Sequence, residues 1–288
     1  MRTSSAQFVV AGTGYAGRRV LLALPTERSW GFSRTAEENS DIRVLPLDLD
    51  QPDTRAIVVP DPSVLLYSIP PGDSSEGDER LAALLRRITP FPERIVYVST
   101  SGVYGDRNGR QTTENEATNP STPRARRRLA AEQMLEARCE KEGSELFVLR
   151  VAAIYGPDRL GLQRLRDGAE ILRDADSGPG NRIHVDDLVT CCVAAMTGNA
   201  PAGIYNIADG DRRSSNWFAC TVASHAGLRA PREISYEEAE RSWSEQRMSF
   251  IRESRCLDSQ KMRTLLKVIP RYENAETGIL ASLGTATD

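Results

Sequence analysis

Histidine is scarce in this chain, and its few cysteines lack a metal-binding spacing. Only His184 and His225 are present, and none of the five cysteines belongs to a C-x-x-C pair. Because zinc sites are built mainly from clustered His and Cys side chains, the sequence predicts no bound metal. An odd number of cysteines without a paired pattern favours free thiols in a reducing compartment. Cys191 and Cys192 are expected to pack inside a helix.

Long apolar runs and an excess of one charge are also absent. The formal net charge is −3 over 288 residues, which gives no general attraction to nucleic acid or to a membrane surface. No apolar run approaches the roughly 18 residues of a spanning helix. The apolar stretch 8–11 is too short for the core of a signal peptide. We therefore expect a cytoplasmic protein whose partners are neither membranes nor nucleic acids.

The most informative feature that is present is a glycine-rich turn between a predicted strand and a predicted helix. The strand covers residues 8–11, the turn reads Gly12-Thr13-Gly14-Tyr15-Ala16-Gly17, and an apolar helix follows over 18–24. In G-x-G-x-x-G, the glycines allow the tight turn, the close approach of a pyrophosphate and helix–strand packing. The helix N-terminus supplies free N–H groups to the anion. The turn predicts a dinucleotide site; the alternative is a purely structural turn in another α/β protein.

Strands and helices alternate along the rest of the chain. Predicted helices cover 81–88 and 125–142, and a further one is capped by Asp186. Polar loops are predicted over 73–79 and 106–123. The predicted strands cover 30–33, 44–47, 57–59, 64–69, 95–98, 146–151 and 203–207. This alternation predicts an α/β fold with a Rossmann-type doubly wound parallel sheet. We expect a dinucleotide-binding domain over 1–155 and a smaller C-terminal substrate subdomain, formed mainly by 156–288, with some segments returning to the first.

The residues after the second strand bear on which nucleotide binds. NAD-specific sites place an acidic residue there to hold the ribose 2′-hydroxyl, but this chain has Ser33 and Arg34. An arginine pairs well with a 2′-phosphate, so NADP(H) is preferred and NAD(H) stays an option. In the alternative, Arg34 is a solvated loop residue and Glu37 or Glu38 reaches the ribose.

Two further strand ends are predicted to contact the cofactor. Asp48 and Leu49 follow the third strand and are assigned to the adenine edge. Ile69 and Pro70 end the continuous apolar run that begins at Val64. Carboxyl ends of parallel strands meet at one edge of a sheet, where ligands bind.

Several sequence blocks, in order, resemble the extended and atypical short-chain dehydrogenase/reductase superfamily, the NAD-dependent epimerase/dehydratase group. The resemblance spans roughly residues 7–285, and the glycine spacing is most similar to the atypical branch. The blocks are VVAGTGYAG, IVYVSTSGVYG (95–105), PSTPRARRRLAAE (120–132), VLRVAAIYGP (148–157), RIHVDDLV (182–189) and GIYNIADG (203–210).

The resemblance implies a catalytic hydroxyl followed by Tyr-x-x-x-Lys, and this chain departs from that pattern. Thr100 keeps the hydroxyl position, with Ser101 as its neighbour, but Arg124 stands at the Tyr position and Arg128 at the Lys position. Arginine does not exchange protons near neutral pH. The resemblance assigns Arg128 to the nicotinamide ribose and leaves Arg124 to bind an anionic group of a substrate. The alternative for the arginine run is a solvated basic face.

Because Arg124 stands at the position of the catalytic tyrosine, other residues are candidates for the group that exchanges the proton. Tyr104 is similar in position to residues near the family's active site, and its alternative role is packing of the loop. Tyr155 lies where the family contacts the nicotinamide end, and packing is again the alternative. His184 is expected to be structural, at the start of a helix. Loop acids complete the candidates: Asp106, Glu114 and Glu116.

Together these observations predict an NAD(P)-binding oxidoreductase, or a sugar-nucleotide epimerase/dehydratase-like protein, that acts on a small molecule. An anionic substrate is one option. The alternatives are a catalytically silent NADP(H)-binding regulator or redox sensor, favoured by Arg124 and Arg128, and an isomerase without net redox change. The resemblance also allows a homodimer through the helix over 125–142.

Overall fold

The computed structural model of the chain describes residues 6–38, 41–73 and 77–284, without the side chain of Glu38. The predicted loop over 73–79 therefore falls partly outside the described residues. Within these ranges, no helix combines the length and the apolar character that a membrane crossing needs.

A central sheet of eight strands organises the fold. Seven strands run parallel, and a two-residue edge strand pairs antiparallel. In chain order they are β1 (Gln7–Ala11), β2 (Ser29–Ser33), β3 (Glu37–Glu38), β4 (Arg43–Pro46), β5 (Ser63–Tyr67), β6 (Arg94–Thr100), β7 (Glu145–Val151) and β8 (Gly203–Ile207). Their order across the sheet is β8-β7-β6-β5-β1-β2-β4-β3. The predicted Rossmann-type α/β fold is confirmed.

Helices cover both faces of this sheet. They are α1 (Tyr15–Ala23), α2 (Glu79–Arg87), α3 (Pro123–Glu142), α4 (Leu162–Arg166), α5 (Val185–Thr197), α6 (Ser215–His225), α7 (Tyr236–Ser242), α8 (Glu245–Ile251), α9 (Gln260–Thr264) and α10 (Ala275–Gly284). Alternate side chains of a strand point to opposite faces. Accordingly Phe8 and Val10 pack with α1 and α5, whereas Val9 and Ala11 pack with α2 and α3.

Helix boundaries follow from local capping. Thr122 accepts a hydrogen bond from the N–H of Ala125 at the start of α3, and Gly143 ends that helix at φ 69°, a left-handed geometry suited to glycine. The predicted end at Gly143 is confirmed. A homodimer through α3 stays a prediction.

One local prediction was wrong. The N-cap of α5 is His184, whose Nδ1 accepts from the N–H of Asp186, so Asp186 lies in the first turn instead of capping it. The extended segment predicted over 57–59 is confirmed at Ile57–Val58, which pairs with Ile88–Thr89 in a separate two-stranded sheet.

The second half of the chain adds short strand pairs beside the sheet. Ala153–Tyr155 pairs with Arg182–His184, and Ile171–Leu172 pairs with Glu233–Ile234. Gln111–Thr112, inside the polar loop 106–123, pairs with Cys256–Leu257. α5 packs on the central sheet and β8 extends its edge. A domain boundary near residue 155 stays a prediction.

All five cysteines are unpaired thiols. Cys191 and Cys192 lie in α5 and are fully buried against the sheet. Their predicted role in helix packing is confirmed.

Candidate functional site

The glycine turn has a geometry that only small residues allow. Gly12 has φ +97°, and its N–H donates to the carbonyl of Phe32 at 2.9 Å. A Cβ on Gly17 would lie 1.9 Å from the carbonyl oxygen of Gly12, whereas a Cβ on Gly14 would meet nothing within 4 Å. Gly14 is the N-cap of α1 and offers no side-chain cap. The first N–H groups of α1 therefore border open space, as a pyrophosphate cradle requires.

A cavity of about 480 Å³ opens at this turn. It lies at the carboxyl ends of β1, β2, β4 and β5, because their following residues converge at one edge of the sheet. All the residues predicted to hold a cofactor line it, except Tyr155. They are Gly12, Thr13, Gly14, Tyr15, Ala16, Gly17, Ser33, Arg34, Asp48, Leu49, Ile69, Pro70 and Arg128.

Other lining residues were missed by the sequence prediction. Ser68 donates from Oγ to the carbonyl of Gly12 at 2.7 Å and braces the turn. Arg80 donates two hydrogen bonds to the Asp50 carboxylate, at 2.6 and 2.7 Å, and a third to the carbonyl of Pro70. Arg159 reaches the cavity from the loop after Tyr155. The position of Ser68 at the cavity could have been predicted, because it lies at the end of a buried strand. No pattern in the sequence indicated the positions of Arg80 and Arg159.

Positive charge dominates the cavity. Among the described residues that line it, the cations are Arg34, Arg80, Arg128 and Arg159, and the anions are Asp48 and Asp50. The Arg80 guanidinium is the main reason that the pKa of Asp50 lies below its ordinary value. An excess of cations in a concave site concentrates anionic ligands there.

Glu37, the alternative ribose ligand, is engaged elsewhere. Its Oε1 accepts from Arg18 on α1 at 2.7 Å, and both side chains are about two-fifths exposed. The side chain of Glu38, the other alternative, lies outside the described residues. Arg34 is exposed at the end of β2 and lines the cavity.

The arginine run at the start of α3 diverges, because consecutive helical residues point about 100° apart. Arg128 lines the cavity and donates to the carbonyl of Val98 at 2.8 Å. Arg124 lies 3.5 Å from the ring centroid of Phe250. Arg126 donates to the carbonyl of Ser121. The run is therefore not one solvated basic face.

The candidate hydroxyl lies at the end of β6. The Oγ1 of Thr100 accepts from the N–H of Gly102 at 3.2 Å, which leaves its own proton available for a further bond. Ser101 is mostly buried at the start of a 3₁₀ turn, Ser101–Tyr104.

Both candidate tyrosines are buried away from the cavity. Tyr104 donates to Oδ1 of Asn206 at 2.8 Å, and burial raises the pKa of its phenol. Tyr155 packs edge-on against His184 and Phe218, and its hydroxyl has no hydrogen-bond partner among the described residues. Tyr155 faces this core because it is the last residue of the strand Ala153–Tyr155, which pairs outside the central sheet. These contacts are those of packing residues.

The remaining candidates hold loops and helix ends. Asp106 accepts from the N–H groups of Ser254 and Asn108. Glu114 accepts from the N–H of Asn206. His184 caps α5, and burial lowers the pKa of its ring. Over the ranges that the structure describes, no three His, Cys, Asp or Glu side chains cluster as metal ligands.

Comparison with known proteins shows what this chain is similar to. Residues 73–208 match the sequence model of the NAD-dependent epimerase/dehydratase family. The match covers 136 of the 288 residues, a little under half of the chain. An uncharacterized protein of Sinorhizobium fredii is 30% identical over 140 residues, which cover 46% of this chain and 35% of that protein. The chain spans about a third of the length of the curated relatives it matches.

Solved structures share this fold over nearly their whole length. A conserved protein of unknown function from Silicibacter pomeroyi DSS is 26% identical, with a TM-score of 0.80 and coverage of 99% of this chain and 100% of that one. UDP-glucuronic acid 4-epimerase from Bacillus cereus, solved with NAD, is 18% identical, with a TM-score of 0.73 and coverage of 98% and 100%. At that identity the likeness to the epimerase shows the fold alone.

Proposed function

We propose that this short-chain dehydrogenase/reductase binds NADP(H) in the 480 Å³ cavity and uses it on an anionic small molecule. One observation carries the proposal: the glycine turn, the end of β2 and Arg128 meet in one cation-rich cavity. The cradle at Gly12, Gly14 and Gly17 fits a dinucleotide, because Gly14 borders open space where a phosphate approaches the N–H groups of α1. The NAD bound to the Bacillus cereus neighbour supports the cofactor class.

The preference for the 2′-phosphate rests on Arg34. Arg34 lines the cavity at the end of β2, and the nearby Glu37 is held by Arg18. A guanidinium binds a phosphate through charge-assisted hydrogen bonds. NAD(H) stays an option, with weaker binding.

The proposed chemistry uses Arg128, which lines the cavity, together with Thr100 and Arg124, which are not among its lining residues. The bound nicotinamide supplies or accepts a hydride. Thr100 would donate a hydrogen bond from its hydroxyl to the reacting oxygen of the substrate and would keep its proton. Arg128 and Arg124 stabilise negative charge, on that oxygen or on an anionic group such as the phosphates of a sugar nucleotide. Because neither guanidinium gives up a proton, the proton that accompanies the hydride is exchanged with water.

A second candidate function is a catalytically silent NADP(H)-binding regulator or redox sensor. It is favoured by a specific observation, since neither Tyr104 nor Tyr155 lines the cavity. Such a protein keeps the cofactor cavity and lacks turnover.

The first experiment titrates the purified protein with NADPH and NADH in parallel and follows cofactor fluorescence. Tighter binding of NADPH supports the proposal, and binding of neither overturns it. The second incubates the protein and NADPH, or NADP⁺, with sugar nucleotides, aldehydes and ketones. Turnover that falls in Thr100→Val and persists in Tyr104→Phe supports the enzyme. Cofactor binding without turnover on any substrate favours the regulator.

A further inference from the structure

An arginine outside the glycine motif borders the glycine turn in the cavity. Arg159 lines the cavity, although it lies more than 140 positions from the turn along the chain. Its guanidinium carbon is 4.2 Å from the ring centroid of Tyr15, which is the residue after Gly14. The cation is therefore held beside the N-terminus of α1.

The loop that carries Arg159 is anchored on both sides of it. The Tyr15 hydroxyl donates to the carbonyl of Pro157 at 2.7 Å. Gly156 has φ +149°, and a Cβ there would lie 2.7 Å from the Tyr15 oxygen. Leu160 is buried in the cluster around Tyr155. These contacts fix the backbone of the loop. The side chain of Arg159 is exposed and is the part of the loop that faces the glycine turn.

No carboxylate of the described residues forms an ion pair with Arg159. Among the described residues, its side chain forms no ion pair and no hydrogen bond, and its one contact of note is the Tyr15 ring. Arg19, in contrast, lies 4.2 Å from the same ring centroid, donates to the carbonyl of Tyr15 and does not line the cavity. One ring thus contacts two arginines, of which only one borders the ligand space.

We propose that Arg159 binds the pyrophosphate of the dinucleotide, with Tyr15 and the anchored loop 156–161 holding its guanidinium in place. The inference rests on the proposed cofactor site. It adds a cation to the N–H groups of α1, so that the two phosphates are held by both. The charge-assisted bonds of a guanidinium suit this geometry.

The test compares Arg159→Leu with Arg19→Leu as the matched control. Calorimetric titration measures three ligands: NADPH, NADH and adenosine 2′-monophosphate, which lacks the pyrophosphate. Arg159→Leu is expected to weaken NADPH and NADH alike, by about tenfold, and to change adenosine 2′-monophosphate by less than about twofold. Arg19→Leu should change all three by less than about twofold, and Arg159→Lys should recover part of the loss because it keeps the charge.

Each outcome decides between the role in binding and a role in packing. Equal dinucleotide affinities for Arg159→Leu and the unchanged protein overturn the inference while the proposed cofactor site stands. Equal losses in the Arg159 and Arg19 variants, or an equal loss for the ligand without pyrophosphate, also overturn it. If the unchanged protein binds neither dinucleotide, the proposed function fails and the inference fails with it. Circular dichroism of each variant verifies folding, and Arg159→Lys carries the test if the leucine variant does not fold.

Discussion

Arg128 donates a hydrogen bond of 2.8 Å from Nη1 to the main-chain carbonyl of Val98, at the inner end of the cavity. The same nitrogen lies 3.3 Å from the Tyr97 hydroxyl, whose pKa burial raises to about 12 although Arg128 opposes the rise. Both acceptors are neutral at ordinary pH, so they orient the guanidinium without cancelling its charge. The guanidinium of Arg128 therefore keeps its positive charge at the cavity.

Replacing Arg34 tests the preference for a 2′-phosphate. Arg34→Ala should weaken NADPH by about tenfold, or about 1.4 kcal/mol, and NADH by less than about twofold, because only NADPH carries the extra phosphate. Fluorescence titration measures both. Arg43→Ala is the control, since Arg43 is exposed on the neighbouring strand β4 and does not line the cavity. Equal losses of NADPH and NADH in Arg34→Ala would falsify the assignment.

The two glycines at the start of α1 separate packing from ligand binding. A Cβ at Gly17 meets the carbonyl of Gly12, so Gly17→Ala should lower the free energy of unfolding by about 2 kcal/mol or more. A Cβ at Gly14 meets no atom within 4 Å. Gly14→Ala should therefore change the free energy of unfolding by less than about 0.5 kcal/mol, while dinucleotide affinity falls. Urea unfolding and cofactor titration measure the two effects. Unchanged affinity in Gly14→Ala would place the pyrophosphate elsewhere.

A buried ion pair links α3 to β7. Arg150 donates to Glu132 at 2.7 Å, the two side chains are 5% and 7% exposed, and the Ser99 hydroxyl also donates to Glu132. Arg150→Met leaves the carboxylate buried and unpaired, which should cost about 3 kcal/mol of the free energy of unfolding. The exposed pair Arg232–Glu170 is the control, and Arg232→Met should cost less than about 1 kcal/mol. Equal losses in urea unfolding would contradict this difference.

Asp209 makes stability depend on pH. Its Oδ2 has no hydrogen-bond partner among the described residues, and burial raises the pKa of its carboxyl from 3.8 to about 8. The folded state therefore holds a proton that the unfolded state releases, and the resulting stabilisation, complete below pH 3.8, is lost as pH rises towards 8. Between these values the unchanged protein should lose up to about 1.4 kcal/mol per pH unit relative to Asp209→Asn.

Urea unfolding at several pH values between 5 and 8 measures this dependence on Asp209. Asp167→Asn, at an exposed position, is expected to follow the unchanged protein. A constant difference between Asp209→Asn and the unchanged protein across this range would show that Asp209 does not titrate there.

Local patterns were sufficient for the sheet and the glycine turn. Buried parallel strands are continuous apolar runs, and so all strands of the central sheet were predicted except the two-residue edge Glu37–Glu38, which has no such run. The turn at Gly12–Gly17 was recognised because its glycine spacing is set by contacts within one strand–helix unit. The residues after β2 were also expected at the cofactor site. In a parallel sheet, the direction of a strand determines the edge at which its following residue lies.

The sequence by itself determined the Rossmann-type α/β fold and the glycine turn, and it has Arg124 and Arg128 where the resemblance expects a tyrosine and a lysine. Only the tertiary structure decided that Arg80 and Arg159 also line the cavity, since neither belongs to a recognised motif. It also decided that Tyr155 is buried and that Arg159 contacts Tyr15. Such contacts join distant parts of the chain, and no local spacing or periodicity encodes them.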